Sequence, residues 1–455
     1  MEDELIINKG YLDDLGVADL VALPIYLMVI IFIGRNIRNN NIELKPYFKY
    51  FTLGLYAKIF GAIAFCFVYT YYYKGGDTIA YYESSRAFAN LLTERPGDFA
   101  DVYFSPSSTN GLNTFSYRTG YPWAYMYFED RTLFLIKFLT PIVLVGFKSY
   151  LLSTILLSVI SFSGLWQAFK LMIRYYPQFT KECAIGILFM PTAVFWGSGM
   201  LKDNVTLSGI CWFIVAFERF FISKNGGKKF LAAFLISGYL VLMIKPYIIM
   251  TAFPGIIIWL FYSRIYKIKN PFLRYSFIPF IMAISVFGGY IVLAQLGDRL
   301  GKFSLDKLME TATVSQEDLK RDYYQGNSFD IGTIDPTIQG FLEKSPQATL
   351  AGLYRPFLWE SKNVGMILSG LENFFLLVVS LVVMIRLKIF GLFKYLFDNP
   401  LLLFLFLYSI LFAYSIGIST SNFGALIRFK IAYAPFFATA FLILYRMTSK
   451  KYKNR

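Results

Sequence analysis

Apolar residues in this chain come in long unbroken runs, separated by short polar turns that hold most of the lysines and arginines. Runs of about 18 or more apolar residues are the length of a bilayer-crossing helix. The runs predict eleven spans, at about 17–34, 50–72, 150–172, 183–200, 203–222, 229–245, 247–262, 275–296, 364–385, 400–418 and 431–447. A twelfth apolar stretch, "TLFLIKFLTPIVLVGF" at 132–147, is short and carries Lys137 and Pro141, which marks a re-entrant or interfacial segment or a further span. The runs are continuous rather than alternating, so the pattern is not that of a β-barrel. The fold class is therefore all-α: a polytopic transmembrane helical bundle read as one integral membrane domain over 1–455.

Composition supports this reading. Of 455 residues, 56% are hydrophobic and only 16% charged, against about 25% charged in soluble proteins. The net charge of +15 would point a soluble protein toward nucleic acid. Here the cations sit in short loops and read as orientation signals and lipid contacts, with no nucleic-acid partner. Arg35, Arg38, Lys45 and Lys49, then Arg174 and Lys181, Arg219, Lys224, Lys228 and Lys229, Arg264, Lys267, Lys269 and Arg274, and Arg386, Lys388 and Lys394 all fall on one side if 132–147 does not cross. That places the C-terminus in the cytoplasm and the N-terminus outside. The start "MEDELIINKGYLDD" is acidic and lacks the basic beginning of a cleavable signal peptide.

Two long loops, 73–149 and 297–363, then face outward. Segments such as "IAYYESSRAFANLL" and "SLDKLMETA" are short and amphipathic, as in helices lying on a membrane surface. No internal repeat is visible. The three cysteines, Cys66, Cys183 and Cys211, lie in or beside apolar runs without metal or disulfide spacing. There is no histidine, which removes Ser-His and Cys-His nucleophiles and His-ligated metals.

With this topology, a mixed set of polar residues gathers at the outer ends of the spans. Asp77 lies in "YYYKGGDTIAYYE", followed by Tyr81 and Glu83. The neighbouring glycines make an ordinary turn, and equally place a carboxylate at the membrane boundary as a general base. Lys202 and Asp203 fall between two spans, where Asp203 fits a helix N-cap and Lys202 a snorkelling cation. Lys245 precedes Pro246 at another outer turn. Arg355 and Glu360 lie in "YRPFLWE", and Asn422, Arg428 and Lys430 in "SNFGALIRFK". Outward-facing cations run against the positive-inside bias, and arginine forms forked hydrogen bonds to phosphate. Lys58 and Glu372, inside apolar runs, are costly in lipid and are expected to face the bundle interior, with snorkelling the alternative for Lys58.

On these residues the chain resembles GT-C-fold glycosyltransferases and the related O-antigen polymerases. "GGDT" with Asp77 is similar to the carboxylate-bearing first outer loop of that fold. "FMPTAVFWGSGMLKD" resembles the site of its second acid, at Asp203. "SNFGALIRFKIAYAPFF" resembles the segment before the last span of exopolysaccharide and O-antigen polymerases. The paired-acid motif and the large soluble outer domain of the best-known GT-C enzymes are missing. The resemblance implies a bacterial inner-membrane enzyme moving a sugar or oligosaccharide from a polyprenyl phosphate or diphosphate carrier to a saccharide acceptor, in contact with membrane lipids. Asp77 would be the base, and Lys202, Lys245, Arg355, Arg428 and Lys430 the phosphate-binding cations. Tyr81, Glu83, Glu360 and Asn422 would make other substrate contacts, and Asp203 would position the acceptor or a divalent cation, Mg2+ or Mn2+. The rival readings are a polymerase working through its outer arginines, a lipid or glycan transporter, and a non-catalytic assembly partner.

Overall fold

The computed structural model describes residues 17–270, 273, 276, 280, 313, 314, 316–318, 327–335 and 337–449. Among the described residues the chain is helical, with no β-strand and only two isolated bridges, Ser116 with Gly120 and Ser328 with Asn422. Eight helices are long and apolar enough to cross a bilayer: Val21–Ile42, Pro46–Tyr72, Tyr150–Tyr175, Lys202–Ile222, Gly227–Ile244, Pro246–Tyr266, Gly365–Phe397 and Pro400–Ser419. Two bent pairs bring the number to as many as ten, Pro177–Leu188 with Pro191–Ser198 (55°) and Phe423–Lys430 with Ala434–Met447 (65°). Pro191 and Pro435 stand at the two breaks, where a residue without an N–H cannot continue the helical ladder. The chain is thus an all-helical, multi-pass membrane protein. The expected span 275–296, the segment "SLDKLMETA" and the two chain ends lie outside the described residues.

The helices used below are α1 (Val17–Ile42), α2 (Lys49–Phe67), α3 (Asp77–Glu94), α4 (Pro96–Phe104), α5 (Thr109–Asn113), α6 (Ala124–Tyr127), α7 (Asp130–Val145), α8 (Tyr150–Tyr175), α9 (Thr180–Leu188), α10 (Pro191–Phe195), α11 (Lys202–Phe217), α12 (Gly227–Ile244), α13 (Pro246–Tyr266), α14 (Ile338–Glu343), α15 (Ser345–Tyr354), α16 (Val364–Phe397), α17 (Pro400–Ser419), α18 (Phe423–Lys430) and α19 (Ala434–Met447). They fall into two compact units, where the hydropathy pattern alone reads one domain. The first holds Met1–Ala168, Val194–Trp212 and Tyr239–Lys245; the second holds Phe169–Ala193, Phe213–Gly238 and Pro246–Arg455.

In the first unit, α3 is the "IAYYESSRAFANLL" segment. It does not lie with one face open, as a surface helix would. Ile79, Ala80, Tyr81, Tyr82, Ala87, Phe88, Ala89 and Leu91 are all buried. The reason is α7, whose Leu135, Ile136, Leu139 and Val143 cover it. The Ser85 hydroxyl donates to the Ile136 carbonyl at 3.2 Å. Helix α7 has 16 residues and is not among the helices long enough to span. Nearby, α2 packs on α8 through Ala62, Cys66, Leu151 and Ile155.

Gly61 of α2 faces the backbone carbonyl of Val194 so closely that a Cβ would strike it. Gly61→Leu is expected to displace the 194–204 turn and to cost about 1–3 kcal/mol, measured as a lower midpoint of thermal unfolding in detergent. An unchanged midpoint would show that the turn does not rest on α2.

In the second unit, α15 and α17 approach through Gly352 against Ala413 and Gly417 against Ala348, small residues that bring the backbones close. Helices α9 and α19 meet where Gly186 lies on Thr439. The core includes Tyr408, Phe412, Phe436 and Phe437. Cations in the last turns of α8 and α19 pair with buried acids: Arg174 with Glu218 at 2.7 Å and Arg446 with Glu182 at 2.6 Å.

The backbone repeats a pattern that the sequence hides. Residues 52–100 and 202–250 carry the same succession of elements at the same lengths. In each, a long helix ends in a five-residue π turn, Val68–Tyr72 or Glu218–Ile222. Each continues to a left-handed lysine, Lys74 (φ 51°) or Lys224 (φ 55°), then a Gly and an 18-residue helix, α3 or α12. A basic residue and a proline follow, Arg95–Pro96 or Lys245–Pro246. The side chains share little beyond Phe67 and Phe217, Gly76 and Gly226, and these Lys and Pro positions. What recurs is where the helix must open, reverse and restart, and many side chains satisfy that.

Candidate functional site

The eleven residues proposed from the sequence divide between the units. Asp77, Tyr81, Glu83, Lys202, Asp203 and Lys245 belong to the first, and Arg355, Glu360, Asn422, Arg428 and Lys430 to the second.

In the first unit the chain leaves α2 through the π turn and reverses over Lys74–Gly76. Gly76 has φ 105°, a conformation that side chains rarely adopt, so the reversal requires glycine there. Asp77 follows as the first residue of α3, half-buried, with its carboxylate at the positive end of the helix dipole. Tyr81 lies one turn further on. The Lys202 ammonium stands 5.9 Å from the Tyr81 ring centroid, within cation–π range. The fold thus brings α3 to the turn that opens α11, across more than a hundred residues of sequence.

Glu83 lies on the same helix, two residues past Tyr81. Its carboxylate accepts the Trp123 indole N–H at 2.7 Å, and Ser84 Oγ accepts the Trp123 backbone N–H at 3.1 Å. Burial raises the Glu83 carboxyl above its ordinary value, and the Trp123 and Arg86 contacts only partly pull it back. Folding therefore shifts Glu83 toward its protonated form relative to the unfolded chain. Its contribution to stability is full at low pH and is lost as pH rises through the raised value. In the wild type, stability relative to Glu83→Gln is expected to fall as pH rises above the ordinary carboxylate range, followed by Trp fluorescence during unfolding. A pH-independent difference would place Glu83 in an unperturbed setting.

Lys202 begins α11 and makes two close polar contacts, 3.0 Å to Glu129 Oε2 and 2.5 Å to Thr132 Oγ1. Asp203 does not cap the helix from outside. It lies in the first turn and forms an ion pair with Lys245, which follows α12. Asp203 is 2% and Lys245 10% exposed, so this pair is deeply buried. The turn itself is held from below. Lys58 turns inward rather than snorkelling: its ammonium donates to the Gly197 carbonyl and to Asn204 Oδ1 at 3.2 Å, and it has no exposed surface. Lys58 and Gly61 stand near the middle of the Pro46–Tyr72 helix, so the 194–204 turn packs beside the middle of that span. From hydropathy alone the turn was expected at the end of the spans.

In the second unit, Arg355 pairs with Glu360 at 3.3 Å and lies over the rings of Phe329 and Phe357. Glu360 also accepts the Phe357 backbone N–H at 2.9 Å. Lys430 is buried and donates to the carbonyls of Leu353 (3.1 Å) and Arg355 (2.5 Å) and to Asn373 Oδ1 (3.2 Å). An ammonium has three protons, so these contacts use its full donor capacity. Lys430 therefore shapes the 353–355 turn and has no donor left for a phosphate. Asn422 caps α18 by accepting the Ala425 N–H at 3.1 Å. Arg428 lies on the same helix, half-buried, against the Phe429 ring. Glu372 faces inward as expected and accepts the backbone and hydroxyl of Thr192 at 2.8 and 2.5 Å.

Two participants were not singled out from the sequence, Glu129 and Thr132. A signal for them existed, because the polar stretch "EDRT" heads the apolar run at 132–147. Among the described residues, no group of three or more His, Cys, Asp or Glu is placed to hold a metal ion. The three cysteines are buried and unbridged. No family model, curated protein or solved structure matches this chain.

Proposed function

We propose that the chain is a membrane glycosyltransferase that moves a sugar or oligosaccharide from a polyprenyl phosphate or diphosphate carrier to an acceptor hydroxyl, at the outer face of the bacterial inner membrane. The observation that carries this reading is the meeting of the Asp77–Glu83 helix with the Lys202–Asp203 turn in the first unit, through Tyr81 and Lys202. It supplies the two things such a transfer needs. Asp77 serves as the base that accepts the proton of the attacking hydroxyl. Lys202 stabilises the charge that grows on the departing phosphate. The reaction needs no covalent nucleophile, which suits a chain without histidine. Exposed aromatic side chains near α3, among them Tyr125 and Tyr121, offer faces on which sugars stack.

The polymerase version of this reading rests on the second unit, where Arg355 and Arg428 are the phosphate-binding candidates. Purified protein in nanodiscs, supplied with lipid-linked glycans from bacterial membranes, separates the two. Asp77→Asn is expected to lower glycan transfer at least a hundredfold. Loss with Arg428→Gln but not with Asp77→Asn would select the polymerase. Full activity in both variants would reject this site assignment. A single cysteine in place of Lys74, exposed on the reversal before α3, in a background lacking Cys66, Cys183 and Cys211, is expected to react with impermeant reagents from outside the cell.

A second reading, translocation of a lipid-linked glycan, is favoured by the repeated element pattern over 52–100 and 202–250 and by charges beside the middle of a span. Under the orientation above, α2 and α11 cross the bilayer in opposite senses, as in inverted-repeat transporters. Scrambling of a fluorescent polyprenyl phosphate in proteoliposomes, beyond that of empty vesicles, would favour it over transfer.

A further inference from the structure

The two lysines that flank Asp203 in the first unit are held very differently. Lys245 is locked to Asp203 in a pair that is almost wholly buried. Exchanging that partner would leave a carboxylate uncompensated in the interior. Lys202 is 16% exposed, and its carboxylate partner Glu129 is 39% exposed. Glu129 is thus the more open member of the pair, and a carboxylate so placed loses little on leaving its partner. The partner of Lys202 can therefore be exchanged at small cost.

The surroundings of the Glu129 carboxylate are those of an anion site. The Lys202 ammonium and the Thr132 hydroxyl both donate to Glu129 Oε2. Arg131 lies close enough for its charge to interact with Glu129. The Tyr81 ring lies beside Lys202. Thr132 is buried and fixed in the first turn of α7, while Lys202 is fixed in the first turn of α11. Two helix starts thus aim a cation and a hydroxyl at one acceptor group.

We infer that Lys202, Thr132 and Arg131 form a binding site for a diphosphate group, and that Glu129 occupies it as an internal stand-in until the ligand arrives. A carboxylate and a phosphate both present acceptor oxygens only. A diphosphate brings more charge and more oxygens, so it displaces the single carboxylate from Lys202. Glu129 then faces away from a neutralised site. This inference rests on the glycosyltransferase reading for the identity of the ligand, a lipid diphosphate, and adds the residue that keeps the site closed.

The test is binding of undecaprenyl diphosphate in nanodiscs, beside soluble pyrophosphate and beside nanodiscs of phosphatidylglycerol alone. Wild-type protein is expected to bind the lipid diphosphate, and Glu129→Gln to bind it about three- to tenfold tighter because the competitor is gone. Lys202→Met is expected to lose at least tenfold. Lys202→Arg keeps binding and shows that the loss is not misfolding, as does an unchanged unfolding midpoint. Pyrophosphate binding with the same variant pattern would identify a site for free diphosphate rather than a lipid headgroup. Equal affinity in wild type and Glu129→Gln, or retention in Lys202→Met, would overturn the stand-in role. So would absence of binding in wild type and Glu129→Gln alike, or binding governed by phosphatidylglycerol alone. Tighter binding by Glu129→Gln together with no glycan transfer by wild type would uphold the site and reject the glycosyltransferase reading.

Discussion

Lys245→Met is expected to destabilise the protein by about 3–5 kcal/mol, the cost of leaving one member of a buried ion pair alone. Asp203 is 2% exposed and Lys245 10%, so neither charge can recover its lost partner's contribution from water. Asp203→Leu acts on the same pair from the other side and is expected to cost a similar amount. The double variant Asp203→Leu with Lys245→Met removes both charges and is expected to recover most of the loss, because the attraction and the desolvation of a buried pair nearly cancel. Thermal unfolding in detergent, arranged as a double-mutant cycle, measures the coupling directly. Additive single and double effects would show that the pair is not a unit. Lys202→Met provides the contrast. Its partner Glu129 is 39% exposed, so the change strands no charge in the interior and is expected to cost less than Lys245→Met. Two lysines at outer turns that look alike in the sequence thus divide into a structural member and a replaceable one.

Lys430→Met is the second large effect, expected at about 3 kcal/mol or more. The change strips three acceptors, the Leu353 and Arg355 carbonyls and Asn373 Oδ1, of one buried donor group. Each buried acceptor left unsatisfied costs about 1–3 kcal/mol, and partial relaxation keeps the total below their sum. Lys430→Arg is not expected to rescue it, since a planar fork cannot reproduce three divergent protons in a closed site. The expected signature is loss of unfolding midpoint, measured beside Arg428→Gln, a change at a half-buried side chain of the same helix. A stable Lys430→Met protein that fails to bind a lipid diphosphate would reverse this assignment and return Lys430 to the phosphate-binding set.

The fold class was legible because its cause is local. A helix that crosses a bilayer must be apolar along its own length, so ten expected spans correspond in position to eight continuous helices and two bent pairs. Prolines at 191 and 435 mark where two of them break. The burial of Glu372 was legible for the same reason, since a charge inside an apolar run is costly in lipid, whereas for Lys58 only the packed structure decided between facing inward and snorkelling. The backbone repeat was not legible, because a π turn and a left-handed lysine constrain φ and ψ far more than they constrain side chains.

The sequence by itself determined that this is a helical membrane protein, roughly where its helices lie, and which few polar residues needed a partner. Only the tertiary structure decided which partner each one has. Lys202 meets Glu129 across 73 residues, Lys245 meets Asp203 across 42, and Thr192 meets Glu372 across 180. Hydropathy and periodicity are properties of neighbouring residues and say nothing at such separations. The choice between a locked pair and an exchangeable one depends on burial, which arises only when helices distant in the chain pack together.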